Sequence, residues 1–390
     1  MNDQTETEHE HRDFESSRYE PEHEGLGIFD KLLPLWVVIC IAIGILFSLY
    51  VPGLSETIES IQIAGMSIPI AICLIVMMYP AMLNIEGSEL VKAGKNPKPI
   101  ILTLFSNWVV ATFVGLAVAL IFVPDNEQLV LAIILLHASP CTAMVLVWGW
   151  LARGNQAQNV IITSINTITI IILYVPVVML LVFIANITLT KPIPLDTLTL
   201  LIALLIFIGL PLIAGVLSKR ILIKRRGEEW FNKKYRPAVG KVAIIALLMT
   251  LIVIFALNGQ VLIQYPNILI RVSIPILVGL LTVLIYNVIV TKLVKLRYQD
   301  AVITIVVGSS SHFEIAIAVA VAMYGIGSYT ALGTTMGLFW EVPLMLSVVY
   351  ISKYLGKHGF WEGYPCMVCY KYPCICGEKK YPTIKKKVKK

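Results

Sequence analysis

Ten long apolar stretches constrain the fold of this chain more than any other feature of its sequence. An apolar helix of about 20 residues crosses the hydrocarbon core of a bilayer. Because backbone amides find no water there, a spanning segment has to be a helix or part of a closed barrel. The stretches lie near 33–51, 65–83, 100–123, 129–151, 160–186, 197–217, 238–258, 268–291, 301–324 and 329–351. The sequence therefore predicts an all-α integral membrane protein with ten transmembrane helices.

The composition agrees with lipid as the main solvent, since 57% of the residues are hydrophobic and 14% are charged. Soluble domains carry roughly a quarter charged residues. The net charge of +7 does not form a basic stripe with interleaved aromatics, as expected for nucleic-acid binding. The sequence also lacks a Walker-type phosphate loop and an H-E-x-x-H motif. We expect a protein without enzymatic activity, cofactor or nucleic-acid partner.

The basic residues predict the orientation in the cell membrane, because cytoplasmic loops are enriched in Lys and Arg. These residues concentrate in the C-terminal tail and in the loops 84–99, 218–236 and 292–297. Loops 52–64 and 124–128 carry carboxylates instead, and only Lys191 and Arg271 break the alternation. Both termini are therefore expected in the cytoplasm, which requires an even number of spans.

The two ends of the chain differ in composition from its middle. Residues 1–30 are acidic and His-rich and lack the pattern of a signal peptide, so we expect a disordered cytoplasmic tail. Residues 31–356 form the predicted ten-helix transporter domain, and residues 357–390 a cytoplasmic tail rich in Cys and Lys. Four thiols of that tail are candidate ligands of zinc or another thiophilic ion, or else remain reduced and unliganded. They are Cys366, Cys369, Cys374 and Cys376.

The ten predicted helices form two groups of five, the first running from 33–51 to 160–186 and the second from 197–217 to 329–351. An odd number of helices makes the second group enter the membrane from the opposite side, which is the geometry of an inverted repeat. This interpretation depends on the helix count and on one correspondence, between the fourth and the ninth span.

The fourth span is interrupted near its middle by residues 137–142 (HASPCT). Pro140 lacks a backbone donor and disturbs the preceding turn, so the freed carbonyls need partners or a wet cavity. Cys141 follows directly and is a candidate ligand. The alternative is an inert packing cysteine beside a tolerated proline kink.

The ninth span contains residues 308–314 (GSSSHFE), in which one Gly and three Ser weaken the helix. A carboxylate at the centre of a span costs roughly 2.5–3.5 kcal/mol on insertion scales, so Glu314 is expected to be functional. The alternative is a neutral carboxyl bonded to a serine hydroxyl. Broken helices at matching positions of two halves indicate a transporter's binding site, which would bring Cys141 and Glu314 to similar depth.

A further carboxylate, Glu341, lies inside the tenth span within FWEVP. It is a candidate proton carrier or a structural partner, and the sequence leaves both open.

Several short motifs resemble those of the arsenical-resistance-3 type arsenite efflux permeases, in the bile acid/sodium symporter superfamily. They are 77–83 (MMYPAML), 95–99 (KNPKP), 104–108 (LFSNW), 140–148 (PCTAMVLVW), 313–320 (FEIAIAVA) and 341–346 (EVPLML). The resemblance runs from about residue 33 to 355 and implies ten helices in two inverted repeats, with crossed, discontinuous helices four and nine. It also implies extrusion of As(OH)3-type arsenite, often with antimonite, coupled to proton entry. The family's key thiol falls on Cys141 and its key carboxylate on Glu314.

The sequence departs from the family pattern at two places. The positions before Phe-Glu, usually Asn-Asn or Asn-Phe, hold Ser311 and His312. The pair after the fourth span, often Gly-Asp, is Gly154 and Asn155. His312 is a candidate to alter proton coupling or to serve as a further ligand of the substrate. We expect His312, Ser311 and Asn107 to be accessory residues of the substrate site.

The leading hypothesis is a secondary exporter of arsenite that works as a proton antiporter. Trivalent arsenic is soft and prefers thiolate ligands, and one thiol permits release as well as capture. A sodium-coupled organic-anion symporter is the first alternative, disfavoured by few Asn and Gln around residues 308–314. A membrane sensor of As(III) or metal that uses the cysteine-rich tail is the second. Any partner ATPase or metallochaperone stays open.

Overall fold

The computed structural model describes residues 33–51, 62–63, 66–83, 96–264, 266–325 and 327–365. The predicted tail 1–30 and the four tail cysteines lie outside the described residues. The helices in chain order are α1 (Leu33–Tyr50), α2 (Ile68–Leu83), α3 (Pro97–Phe105), α4 (Thr112–Phe122), α5 (Glu127–His137), α6 (Met144–Leu151), α7 (Gln156–Thr188), α8 (Thr197–Leu204), α9 (Leu210–Arg226), α10 (Glu228–Trp230), α11 (Arg236–Gln264), α12 (Pro266–Leu293), α13 (Tyr298–Gly308), α14 (Phe313–Tyr324) and α15 (Tyr329–Lys357).

Three π-helical turns join neighbouring helices into longer rods. They are Ser106–Ala111 between α3 and α4, Leu205–Gly209 between α8 and α9, and Phe231–Tyr235 between α10 and α11. Two strands of two residues, β1 (Gln62–Ile63) and β2 (Met66–Ser67), pair antiparallel before α2. The predicted all-helical class is therefore confirmed for the described residues.

Within the part of the chain that the structure describes, six helices are long and apolar enough to cross a membrane. They are Pro97–Phe122, Gln156–Thr188, Thr197–Arg226, Glu228–Leu257, Asn267–Leu293 and Tyr329–Lys357. Five shorter apolar helices accompany them, namely Leu35–Tyr50, Ala71–Pro80, Glu127–His137, Tyr298–Gly308 and Phe313–Tyr324. The count of ten spans stays a prediction, since length and hydropathy alone single out six.

The helices pack in two groups. In the first, α11 lies against α1 and α2, and α2 also packs against α9. In the second, α15 packs against α5, α12 and α14, while α4 lies between α5 and α12. Helix α8 links the groups by packing on α14. The second group contains both interrupted helices.

The short helices α5, α13 and α14 are buried on nearly all sides by longer neighbours. A helix that is apolar around its circumference belongs in such an interior. Close packing depends on glycines of α15, since a Cβ on Gly333 would lie 2.6 Å from Cβ of Ala132, and one on Gly337 2.5 Å from Leu136. The ends of these short helices therefore lie inside the second group, whereas the ends of a continuous spanning helix would lie at the membrane surfaces.

Polar caps fix where several of these helices begin. Asn126 accepts from the backbone N–H of Leu129 at 3.1 Å at the start of α5. Ser328 accepts from Ala331 at 3.2 Å at the start of α15. Side-chain oxygens at this position satisfy amides that have no partner within the helix. The starts of α5 and α15 are thus specified locally.

Candidate functional site

The two interruptions meet as a pair of antiparallel backbone segments. Helix α5 ends at His137 and α6 begins at Met144, while α13 ends at Gly308 and α14 begins at Phe313. Between these ends Pro140 and Ser311 form an antiparallel bridge. The segments 138–143 and 309–312 therefore satisfy part of each other's backbone, as non-helical chain inside a membrane requires.

Two backbone hydrogen bonds hold this bridge. The Cys141 N–H donates to the Ser310 carbonyl at 3.3 Å, and the His312 N–H donates to the Ser139 carbonyl at 2.6 Å. The Ser139 hydroxyl lies 3.0 Å from the Leu135 carbonyl, near the end of α5. Serine hydroxyls compete in this way with the helical ladder. Together with the missing donor of Pro140, this ends α5 ahead of Cys141.

Asn287 of α12 binds the chain at the interruption between α13 and α14. Its Nδ2 lies 2.9 Å from the Gly308 carbonyl, 2.9 Å from Ser309 Oγ and 2.8 Å from Ser106 Oγ. The Ser106 hydroxyl also donates to Gly308 at 2.9 Å. The carbonyl at the end of α13 thus keeps partners although its helix stops. The sequence analysis did not identify Asn287. The feature that could have indicated it is a polar amide in the apolar second half of α12.

Cys141 is fully buried at this contact. The Ser310 side chain lies within hydrogen-bonding reach of its thiol, and the carboxyls of Glu314 and Glu341 are near enough to act on it electrostatically. Of the three cysteines among the described residues, the other two, Cys40 and Cys73, lie in α1 and α2 of the first helix group. The structure therefore brings one thiol to the two carboxyls that the sequence singled out.

Asn107 reaches Cys141 through a second amide that the sequence analysis did not name. The Asn107 Nδ2 donates to Asn166 Oδ1 at 3.4 Å, and the Asn166 Nδ2 donates to the Cys141 carbonyl at 3.4 Å. Both asparagines are buried. Asn107 is therefore connected to the backbone of Cys141 and not to its sulfur, and its accessory role stays a prediction.

Glu341 is bound to the serines of the ninth-span interruption. Its Oε1 accepts from the Ser310 hydroxyl at 2.5 Å and from the Ser311 N–H at 3.0 Å, and its Oε2 accepts from the Ser311 hydroxyl. The sequence analysis considered a serine partner for Glu314, but the structure gives that arrangement to Glu341. This carboxyl consequently anchors the bent segment to α15.

Glu314 and His312 differ from Glu341, because their side chains are buried but their polar atoms have no hydrogen-bond partner among the described residues. Nδ1 of His312 lies 2.9 Å from Oε2 of Glu314, a distance within ion-pair range. Among the described residues, however, neither carboxylate oxygen and neither ring nitrogen has a partner in hydrogen-bond geometry. The two groups are thus close but not aligned for a hydrogen bond, which depends on its angle as well as on its length.

The hydroxyl of Thr142 joins these groups as a further buried atom without a hydrogen-bond partner in the described part of the chain. An unsatisfied buried polar group costs about 1–3 kcal/mol, so such a cluster indicates a ligand, an ion or a proton. No set of three or more His, Cys, Asp or Glu side chains within the described ranges is placed to hold a metal ion. The cluster suits a small polar ligand.

The departure at Asn155 also has a structural reason. Asn155 Nδ2 donates to Asp300 Oδ1 at 2.9 Å, and Asn96 Nδ2 donates to Oδ2 of the same carboxylate at 3.1 Å. An aspartate at position 155 would set two carboxylates against each other. The amide therefore lets α3, α7 and α13 share one carboxylate where these helices begin.

Arg271, an exception to the charge alternation of the loops, has a partner. It donates to Asp125 at 2.5 Å, with both side chains about half exposed. This hydrogen bond holds the pKa of the Asp125 carboxyl below its usual range. This pair joins the start of α12 to the turn between α4 and α5.

Comparison with known proteins places this arrangement in a family. Residues 71–265 match the model of the Sodium Bile acid symporter family. An uncharacterized transporter of Synechocystis is 37% identical over 86% of this chain and 90% of its own length. The arsenical-resistance protein Acr3 of Alkaliphilus metalliredigens is 34% identical over 87% of this chain and 96% of its own. Acr3 of Corynebacterium glutamicum is 29% identical over 86% and 91%. The chain therefore belongs to the sodium bile acid symporter family and is a multi-pass membrane transporter.

Proposed function

We propose that this transporter exports As(III), as neutral As(OH)3, from the cytoplasm in exchange for protons. The observation that carries the proposal is the Cys141 thiol, buried where two interrupted helices meet, beside the orphan polar atoms of Glu314 and His312. The two relatives named as arsenical-resistance proteins support the substrate class. Antimonite has the same thiol chemistry and is included.

The proposed topology has ten spans in two inverted repeats of five, with both termini in the cytoplasm. The helix pair α5 and α6 is the fourth span of the first repeat, and α13 and α14 form the fourth span of the second. Support comes from their matching positions and from the bridge between their interruptions. Such paired broken helices are how secondary transporters build midplane sites.

The capture step joins arsenic to one sulfur. The Cys141 sulfur bonds arsenic, one As–O bond breaks, and the thiol proton leaves with the released hydroxyl as water. Glu314 takes the thiol proton and hands it to the leaving hydroxyl. The two remaining hydroxyls of arsenic find partners among His312, Glu314 and Thr142, whose polar atoms are unsatisfied in the described structure. Hydrolysis reverses the step, and one S–As bond keeps release feasible.

The exchange with protons makes export electrogenic. Because As(OH)3 is neutral, each proton that enters on Glu314 moves one net charge inward. A membrane potential contributes about 2.3 kcal/mol per charge for each 100 mV. Glu314 has no hydrogen-bond donor among the described residues, whereas Glu341 already accepts hydrogen bonds from the serines. We assign the main proton site to Glu314 and a second one to Glu341, which also anchors the bent segment through Ser310 and Ser311.

A sodium-coupled organic-anion symporter is the second candidate. The family description supports it, and so does the ring of buried amides around the interruptions, which the sequence analysis underestimated. These amides are Asn107, Asn166 and Asn287. The sensor alternative depends on tail cysteines that lie outside the described residues.

Transport in proteoliposomes separates the two candidates. We expect arsenite flux that follows an imposed proton gradient and is indifferent to sodium. Glu314→Gln should uncouple this flux from pH, because the amide cannot take a proton. Uptake of an organic anion that requires sodium, without arsenite flux, would favour the symporter instead.

A further inference from the structure

His137 is a buried ionisable side chain that the proposed cycle does not use. It is the last residue of α5, directly before the interruption of the fourth span. Its Nδ1 lies 3.0 Å from the Ile133 carbonyl, and its Nε2 has no hydrogen-bond partner among the described residues. Since a carbonyl only accepts, Nδ1 carries the proton of the neutral ring and Nε2 exposes a basic lone pair.

Two glycines from different helices make room for this ring. A Cβ on Gly115 of α4 would lie 2.3 Å from Cβ of His137, and one on Gly279 of α12 would lie 2.4 Å from its Nε2. A residue that served packing alone would be apolar, since an unpaired buried nitrogen costs about 1–3 kcal/mol. The space and the orphan nitrogen together point to a functional imidazole.

The ring also lines a small cavity at the contact of the two interruptions. Asn107, Ser139, Gly308 and the three serines 309–311 line the same cavity. Ser310 and Ser311 in turn donate to Glu341. Hydroxyls that face both a cavity and a carboxylate form a route along which a proton can pass.

We propose that His137 is a second proton-binding residue of the transporter, which takes up a proton at Nε2 from the cavity and exchanges it, through Ser310 and Ser311, with the carboxyl of Glu341. On uptake the ring holds Nδ1–H and Nε2–H and carries one positive charge. On release it returns to the neutral form that donates to Ile133.

The titratable groups on the surrounding elements are few. Helix α7 contributes Tyr174, whose hydroxyl donates to Leu135 at 3.4 Å. The ninth span contributes His312 and Glu314, α15 contributes Glu341, and the segment after α5 contributes Cys141. None of these groups hydrogen-bonds the imidazole within the described residues. The nearest residues of α4 and α12, Gly115 and Gly279, carry no charge.

This inference rests on the proposed proton-coupled export, so its test measures two fluxes in proteoliposomes. His137→Gln keeps size and polarity but cannot take a proton. Arsenite counterflow, which moves no net proton, should stay near the wild-type rate. Proton-driven flux should fall by about a hundredfold, the effect of losing a positioned proton-transfer group, and its pH profile should flatten.

The control is His358→Gln. His358 makes the same kind of contact, Nδ1 to the Tyr354 carbonyl at 2.7 Å, but at the exposed end of α15. It should leave both fluxes unchanged. A His137→Gln protein with the wild-type pH profile overturns the inference alone. Wild-type protein without any proton-coupled arsenite flux overturns the proposed function instead.

A measurement on the wild-type chain decides the matter if His137→Gln does not insert. In nitrogen-15 spectra of the imidazoles, assigned by selective labelling, the His137 Nε2 should gain a proton as the pH falls across the range in which transport runs. An Nε2 that stays unprotonated throughout that range overturns the inference.

Discussion

Cys141 donates its backbone N–H to the carbonyl of Ser310, and this bond joins the interruption between α5 and α6 to the one between α13 and α14. The side chain of Ser310 connects the same place to Glu341 at 2.5 Å. A thiol and a carboxyl that lie 200 residues apart in sequence therefore share one serine. A change in either interrupted helix would alter this contact, and the proposed transport cycle uses that connection.

Asn287 should be essential for the shape of the ninth-span interruption. Asn287→Ala leaves the Gly308 carbonyl with one partner fewer, and we expect a loss of about 1–3 kcal/mol of folding free energy together with most of the transport. The control is Asn267→Ala, an exposed amide at the start of the same helix. Unfolding in detergent and arsenite flux measure both variants; equal behaviour of the two would refute the role of Asn287.

The contact of Asn155 with Asp300 predicts a rescue by exchange. Asn155→Asp places two carboxylates together, so the variant should be less stable than the wild type at neutral pH. The double variant Asn155→Asp with Asp300→Asn restores one donor and one acceptor and should recover most of that loss. Thermal unfolding at several pH values measures the effect. A double variant as unstable as the single one would exclude a direct interaction.

The ion pair of Asp125 with Arg271 should contribute a small, pH-dependent share of stability. Because the pKa of Asp125 is lowered on folding, the contribution is complete above the unfolded value of about 3.9 and is lost as the pH falls through the lower, folded value. Both groups are largely exposed, so at most about 1 kcal/mol is involved, and salt should reduce it. Asp125→Asn should remove this pH and salt dependence while transport at neutral pH persists.

The proposed topology predicts which cysteines a membrane-impermeant thiol reagent reaches. In an Asp125→Cys variant, the new thiol between α4 and α5 should react from outside intact cells. In a Lys224→Cys variant, the new thiol at this exposed position near the end of α9 should react only after permeabilisation. Labelling of both positions from the same side would contradict the inverted arrangement.

The sequence predicted the helical class because hydropathy alone requires it, and the interruptions because Pro140 and the serine run oppose a continuous helix. It also singled out Cys141, Glu314 and Glu341, since a thiol or carboxyl in an apolar span is unusual. All three side chains are buried, and both carboxyls act electrostatically on the Cys141 thiol.

Other features depend on distant contacts and were not predictable. Asn287 and Asn166 have their partners on other helices, so their roles appear only once the helices pack. The choice of Glu341 over Glu314 as the serine partner likewise depends on how α15 lies against the interruption. Periodicity and composition carry no information on either point.

Arsenite accumulation by everted membrane vesicles tests the central claim most directly. Wild-type protein and Cys40→Ala, a matched loss of a buried thiol in the other helix group, should accumulate arsenite equally under an imposed proton gradient. Cys141→Ala should insert normally and accumulate no more arsenite than vesicles without the transporter. Accumulation by Cys141→Ala at the wild-type rate would contradict the account.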